Sequence, residues 1–133
     1  MNVTSLYPVL LSTDPTRTAA FFREWFDVDT TFAADWYVSM RTAASELAVV
    51  QATHATVPEG FRVPASGVII NVEVDDVDTV FQRIVLHGGL PELVPLRSEE
   101  FGQRHFITLA PGGVLVDVIT PIPPTGAYAE ACT

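Results

Sequence analysis

The residues best placed to do chemistry lie toward the end of the chain. In "GGVLVDVITPI", residues 112–122, Asp117 is the one charged side chain in an apolar, strand-like run, and His105 stands upstream in "GQRHFIT". A carboxylate beside an imidazole can ligate a metal, pass a proton or form an ion pair. A divalent ion would need a third donor, such as the loop acid Glu100. Arg104 offers a plainer partner for Asp117, a buried ion pair. Register decides between them, because a slip of one residue exchanges Arg104 and Phe106 for His105 and Ile107 on a given face. The pattern of 103–109 leaves that register open. Glu46, in "SELAVVQA", is a second isolated carboxylate. Apolar surroundings raise a carboxyl pKa and make a general base, so Asp117 and Glu46 are the candidate catalytic residues. His87 falls at the expected end of a helix, where a cation suits the dipole, and His54 falls just past a strand, where solvation accounts for it.

Composition narrows the chemistry. All seven cationic side chains are arginine and the formal charge is −9. Without lysine there is no Schiff-base or P-loop phosphate chemistry, and without a basic face there is no nucleic-acid partner. The field suits a cationic or neutral small molecule. No apolar run approaches the roughly 18 to 20 residues needed to span a bilayer, so no membrane partner is expected. The N-terminal "MNVTSLYPVL" has no basic patch ahead of its apolar residues, which makes a cytoplasmic location the expectation. The lone cysteine, Cys132, leaves no internal disulfide and no cysteine zinc site.

The elements that must position these groups repeat. In "SLYPVLLSTDPTRTAAFFREWFDVD" a β-rich run leads to Asp14 as N-cap and Pro15 at the first helical position, with Thr18, Ala19, Phe22 and Phe26 as the buried stripe. In "GVIINVEVDDVDTVFQRIVLHGG" a β run leads to Asp76 as N-cap, with Val77, Val80, Phe81 and Ile84 on one helical face and Gly88 and Gly89 closing it. Each helix is followed by three strand candidates: "DTTFAA", "WYVSMRT" and "SELAVVQA", then "PELVPLR", "QRHFITLA" and "VLVDVITPI". The plan is βαβββ, twice, in a single domain of 133 residues. Module one covers about 4–53, a linker about 54–66, module two about 67–122 and an irregular proline-rich tail 123–133.

A double βαβββ repeat carrying "VLLSTDPTRTAAFFREWF", "VEVDDVDTVFQRIVLHGG" and a terminal glycine hairpin strand resembles the vicinal oxygen chelate superfamily, which includes glyoxalase I, extradiol dioxygenases and bleomycin-resistance proteins. The resemblance implies an α+β fold in which two modules form an open, cupped mixed sheet with helices outside and the site inside. In metal-dependent members one ligand stands on the first strand of each module and one on the last. Carried over, those positions are Tyr7, Ala48, Ile69 and Asp117. Tyr7 is a rare ligand, Ala48 and Ile69 have no donor, and only Asp117 carries a carboxylate, so neither a metal nor another cofactor is expected.

Alternation then selects the residues that face a ligand. Tyr7, Glu46 and Ala48 share a face in module one; Ile69, Asn71 and Asp117 share one in module two. On the third strand Tyr37, Ser39 and Arg41 are preferred to Trp36, Val38 and Met40, which suit packing beneath a helix. Arg104 and Phe106, or His105, complete the set, with Phe101 among aromatics near the expected mouth. Greasy walls with isolated polar points suit an organic ligand, aromatic or cationic. The resemblance therefore implies a metal-free binding protein that sequesters an antibiotic or other natural product, working as a homodimer. The alternative is a lyase, isomerase or dioxygenase of the same fold, either metal-free or using a displaced set such as His105, Asp117 and Glu100.

Overall fold

The computed structural model describes residues 1–130, so Cys132 lies outside the described residues. In chain order the elements are β1 (Val9–Ser12), α1 (Pro15–Phe26), β2 (Asp29–Ala33), β3 (Tyr37–Arg41), β4 (Glu46–Gln51), β5 (Ile69–Glu73), α2 (Val77–Phe81), β6 (Val94–Glu99), β7 (Gln103–Leu109) and β8 (Leu115–Pro121). They make an α+β fold of two βαβββ modules, each with an open, mixed, four-stranded sheet. The orders are β1-β4-β3-β2 and β5-β8-β7-β6. In both, the first strand pairs in parallel with the last and the other pairings are antiparallel. Two compact units divide the chain. One holds Met1–Ser66 with the turn Pro111–Gly113, and the other holds Gly67–Ala110 with the described residues 114–130.

In the first unit, the Asp14 carboxylate accepts from Arg17 N and Pro15 opens α1. The helix packs on β3 and β4. Its buried residues are Pro15, Thr18, Ala19, Phe21 and Phe22, while Phe26 stays half-buried. Thr18, Ala19 and Phe22 of the expected stripe are thus buried, and Phe21 joins them edge-on to Phe22 at 5.2 Å. Beneath it lie Val38, Met40 and Val49, each no more than 2% exposed. Two buried hydroxyls sit at the helix entrance. Thr18 donates to Pro111 O at 3.3 Å and accepts from Ser12, 2.8 Å away, which in turn accepts from Asp14 N. The chain between β4 and β5 is not a free linker. Arg62 Nε donates to Val57 O at 2.7 Å and Ala65 N to Leu11 O at 2.8 Å, which binds the segment into the first unit.

In the second unit, Asp76 caps α2 by accepting from Thr79 N and from the Thr79 hydroxyl. The α-helix is short. From Gln82 to His87 it continues as a π-helix, and Gly89, with φ 71°, ends it. The expected single face of Val77, Val80, Phe81 and Ile84 is therefore split across a change of helical pitch, although Val77 and Ile84 remain the buried pair. The tail folds back on the β6–β7 turn through Ile122 N to Gly102 O and Thr125 N to Glu100 O, then makes a 3-10 turn at Gly126–Tyr128.

One irregularity occurs at the corresponding place in each sheet. Along β2, Asp29 and Thr30 pair with Arg41 and Met40, but Phe32 pairs with Ser39, which leaves Thr31 as an extra residue. Along β6, Val94 pairs with Ile107 but Arg97 pairs with His105, again one residue too many. Each is a β-bulge, and each reverses which side chains of its strand reach a given face.

Because Asp76 satisfies two donors of Thr79 at a helix that has only one α-turn before it changes pitch, Asp76→Ala should lower the unfolding free energy by about 1 kcal/mol. Urea denaturation followed by far-UV circular dichroism measures it; an unaltered midpoint would show that the cap contributes nothing.

Candidate functional site

In the second unit, register places Asn71 opposite Asp117 across β5 and β8, with His105 opposite Ile119 and Ile107 opposite Asp117 across β7 and β8. Asp117, His105 and Asn71 therefore share a face. His105 is 5% exposed and Asp117 8%. The imidazole lies between two carboxylates, with Nδ1 2.7 Å from Asp117 Oδ1 and Nε2 2.8 Å from Glu99 Oε2. Both partners are acceptors when ionised, so the arrangement favours the imidazolium, in which both ring nitrogens donate. Burial alone would depress the His105 pKa, but the hydrogen bonds and charges of Glu99 and Asp117 outweigh it, and the pKa is raised. Glu99 is in turn held below the usual carboxylate range by His105 and then by Arg97, whose Nε lies 2.8 Å away. Phe101 stands edge-on to His105 at 6.2 Å and Tyr128 edge-on to Phe101 at 6.0 Å.

This geometry corrects several sequence expectations. Arg104 does not pair with Asp117; it takes the opposite face and forms a two-point bridge to Asp78 at the start of α2, at 2.9 and 2.8 Å. Phe106 shares that opposite face, fully buried and edge-on to Phe81 at 5.2 Å. Neither can meet a ligand lying on the Asp117 face. The acid that joins His105 and Asp117 is Glu99, not Glu100, whose backbone carbonyl instead holds the tail. Glu99 escapes a reading by alternation because the β6 bulge moves it to the His105 face; a bulge carries no reliable sequence mark, although Pro95 within the strand is a hint of one.

In the first unit, pairing of Val9 and Ser39 with Ala48, of Tyr37 and Leu11 with Val50, and of Arg41 with Glu46 defines one face. Val38 and Met40 take the helix side. Tyr7 precedes β1 and is 44% exposed, so the residue that stands opposite Ala48 is Val9. Likewise Ile69 pairs with Leu115, and Asn71 stands opposite Asp117. The Glu46 carboxylate accepts from Ser5 Oγ at 2.9 Å and lies at the exposed end of β4. On the same face a pocket of about 400 Å³ is walled by Val9, Leu11, Trp36, Tyr37, Val50, Val57 and Pro58, with Thr56 beside them. Its rim is built. His54 stacks flat on Trp36 at 3.9 Å, and His54 Nδ1 accepts from Thr56 N. His54 is therefore half-buried, with one ring face packed on Trp36. Phe61, in the segment between β4 and β5, is 69% exposed.

The architecture is the fold of the vicinal oxygen chelate superfamily. No protein-family model and no curated protein matches the sequence. Among solved structures the chain is similar to a glyoxalase/bleomycin resistance protein/dioxygenase from Nocardioides, with 16% identity over 96% of this chain and 89% of that one and a TM-score of 0.73. It is similar to a lactoylglutathione lyase from Agrobacterium tumefaciens, with 17% identity over 90% and 96% and a TM-score of 0.70. It is also similar to TioX from Micromonospora sp. ML1, with 19% identity over 90% and 100% and a TM-score of 0.68.

Metal-dependent members of that superfamily imply a chelate, and the donor set here does not fit one. Val9 and Ala48 in the first unit have no donor, and Ile69 in the second has none. Asp117 already gives an oxygen to His105, whose two nitrogens are both engaged by carboxylates. Among the described residues no cluster of three or more His, Cys, Asp or Glu side chains is arranged to hold an ion.

Because the folded His105 pKa is raised above its ordinary value near 6.5, its contribution to stability is complete below that value and is lost as pH rises through the folded one. The matching Glu99 contribution is present above its ordinary value of 4.5 and fails as pH falls through its lowered one. At pH 5.5, His105→Gln should therefore cost about 2 kcal/mol, the scale of a hydrogen bond to a charged group. The gap to wild type should narrow steadily by pH 8.5. Urea midpoints at the two pH values test this, and a constant gap would contradict it.

Proposed function

We propose that this chain is a metal-free small-molecule-binding protein of the glyoxalase/bleomycin-resistance type, which sequesters an antibiotic or other natural product. The observation that carries the reading is the pocket on the first unit's sheet face: seven aliphatic, aromatic or proline walls, Trp36 and Tyr37 among them, the hydroxyls of Tyr37 and Thr56, and no charged side chain in its lining. Its size falls in the range of ligand sites, and such walls with few polar points bind by burial and fix orientation by contact. The chelate positions that would support metal chemistry hold Val9, Ala48, Asn71 and an Asp117 already bonded to His105. Neighbours named for glyoxalase, dioxygenase and resistance proteins share the fold, and the binding branch of that range is the one these side chains suit.

The alternative, a metal-free enzyme, draws on the Glu99–His105–Asp117 cluster. Both imidazole nitrogens there are committed to carboxylates, so His105 has no free lone pair to take a proton from a bound molecule. Among the described residues no helix is long and apolar enough to cross a membrane. In this reading the protein acts in the cytoplasm as a homodimer, an assembly supported by the exposure of Val3 and Leu6, at 71% and 92%.

Thermal-shift and equilibrium-binding screens against cationic glycopeptide-type and planar antibiotics, then a wider metabolite panel, test the reading. At least one class should raise the melting temperature, and Trp36→Ala should weaken its binding by about tenfold or more, as expected for loss of a stacking wall. Silence across both panels would remove the proposal. Sedimentation at micromolar concentration should give the mass of two chains, and a single-chain mass would remove the homodimer.

A further inference from the structure

The pocket does not end at Tyr37. Four rings follow one another in the first unit: His54 flat on Trp36 at 3.9 Å, Trp36 to Tyr37 at 5.4 Å, and Tyr37 to Phe32 at 6.3 Å. Phe32 lies outside the pocket lining, on the edge strand β2, and is 52% exposed. A phenylalanine left this open on an edge strand carries a cost in exposed apolar surface, so its placement calls for a reason.

The β2 bulge supplies the mechanics. Asp29 pairs with Arg41 and so belongs to the pocket face; by strict alternation Thr31 and Ala33 would join it and Phe32 would turn to the α1 side. The extra residue at Thr31 reverses this and sets Phe32 opposite Ser39, on the pocket face, in ring contact with Tyr37. Bulges recur beside binding sites, where they re-aim a side chain. Charge on the same face is known from register: Asp29 and Glu46 flank Arg41 on either side, two carboxylates to one guanidinium. Glu46 is held by Ser5, and no ion pair is formed by Arg41 among the described residues. The face therefore offers a run of rings beside a net negative rim, within a chain of formal charge −9.

We infer that Phe32 forms a second subsite continuous with the Trp36–Tyr37 pocket, and that the ligand is a flat, multi-ring aromatic cation long enough to lie on both. This rests on the binding reading proposed above and specifies the class of ligand and its extent. A single ring would be satisfied by the pocket walls. Only a molecule reaching about 6 Å further, the Tyr37–Phe32 ring separation, gains from the re-aimed side chain. The positive charge is favoured by the rim and by the faces of Trp36 and Tyr37.

Two probes that share a core and a charge separate the subsites: N-methylisoquinolinium, with two fused rings, and berberine, which extends the same core. Their dissociation constants are measured by fluorescence or calorimetry on wild type, Phe32→Ala and Trp36→Ala, alongside sedimentation of each variant. Wild type should prefer berberine by about tenfold or more, and Phe32→Ala should reduce that preference by about tenfold while keeping the wild-type sedimentation mass. Trp36→Ala should weaken both probes. If both probes bind but the preference survives in Phe32→Ala, the second subsite is overturned and the binding function stands. If neither binds, the ligand class is wrong, and the wider panel decides the function separately. A change of sedimentation mass in Phe32→Ala would overturn the inference by making Phe32 a contact between copies of the chain.

Discussion

A strand can show a side chain to only one face of its sheet, and everything that distinguishes this protein depends on where that rule is interrupted. In each module the parallel pair and its antiparallel neighbour keep strict alternation, which fixes Val9, Ala48 and Ser39 in one sheet and Asn71, Asp117 and Ile107 in the other. The outermost strand then inserts one residue and changes parity. In the first sheet this brings Phe32 to the pocket face; in the second it brings Arg97 and Glu99 to His105. Two local distortions of the same kind thus add an exposed ring to one face and close a charge cluster on the other. Repair of either bulge would leave the hydrogen-bonded ladder more regular and the face depleted of its distinctive group.

The charge cluster shows how a buried histidine is tolerated. Burial of an imidazolium is costly unless the charge is compensated and both N–H groups are satisfied, and Asp117 and Glu99 meet both conditions from opposite sides of the ring. Arg97 then neutralises part of the excess negative charge at Glu99. The same β7 strand sends its neighbour Arg104 the other way, to Asp78 on α2, where the exposed two-point bridge contributes little to stability but marks the register. Arg104 and His105 are adjacent in sequence, and each finds an acid on its own side of the sheet. Exchange of those partners would require the strand to slip by one residue and would turn both Arg104 and Phe106 onto the Asp117 face.

The legibility of these features follows from their range. Caps are local, so Asp14, Pro15 and Asp76 could be read from a few residues, and with them the double βαβββ plan and its fold. Alternation within regular strands was equally readable, as in the separation of Tyr37, Ser39 and Arg41 from Val38 and Met40. What could not be read was set by pairing partners distant in the chain. The choice between Arg104 and His105 depends on Thr120 and Ile119 across the sheet, and Glu99 and Phe32 depend on bulges whose only role is to break the period being read. The residues opposite Ala48 and Asp117 are Val9 and Asn71, each two positions after Tyr7 and Ile69, an offset that only the parallel pairing fixes. The π-helical second half of α2 is a further departure from the 3.6-residue period.

Identical plans have therefore been put to different uses. Val9 and Asn71 are equivalent by register, as are Ala48 and Asp117, yet Val9 and Ala48 are apolar and lie beside an open pocket while Asn71 and Asp117 are polar and lie within the neighbourhood of a bonded ion cluster. Asp117 is stabilised by a partner on its own sheet. His105 supplies it, and the bulge that delivers Glu99 to the far side of the ring allows His105 to hold a charge there. The compensation of the acid follows from its burial: a carboxylate taken out of water must be paired, protonated or solvated, and in this sheet it is paired.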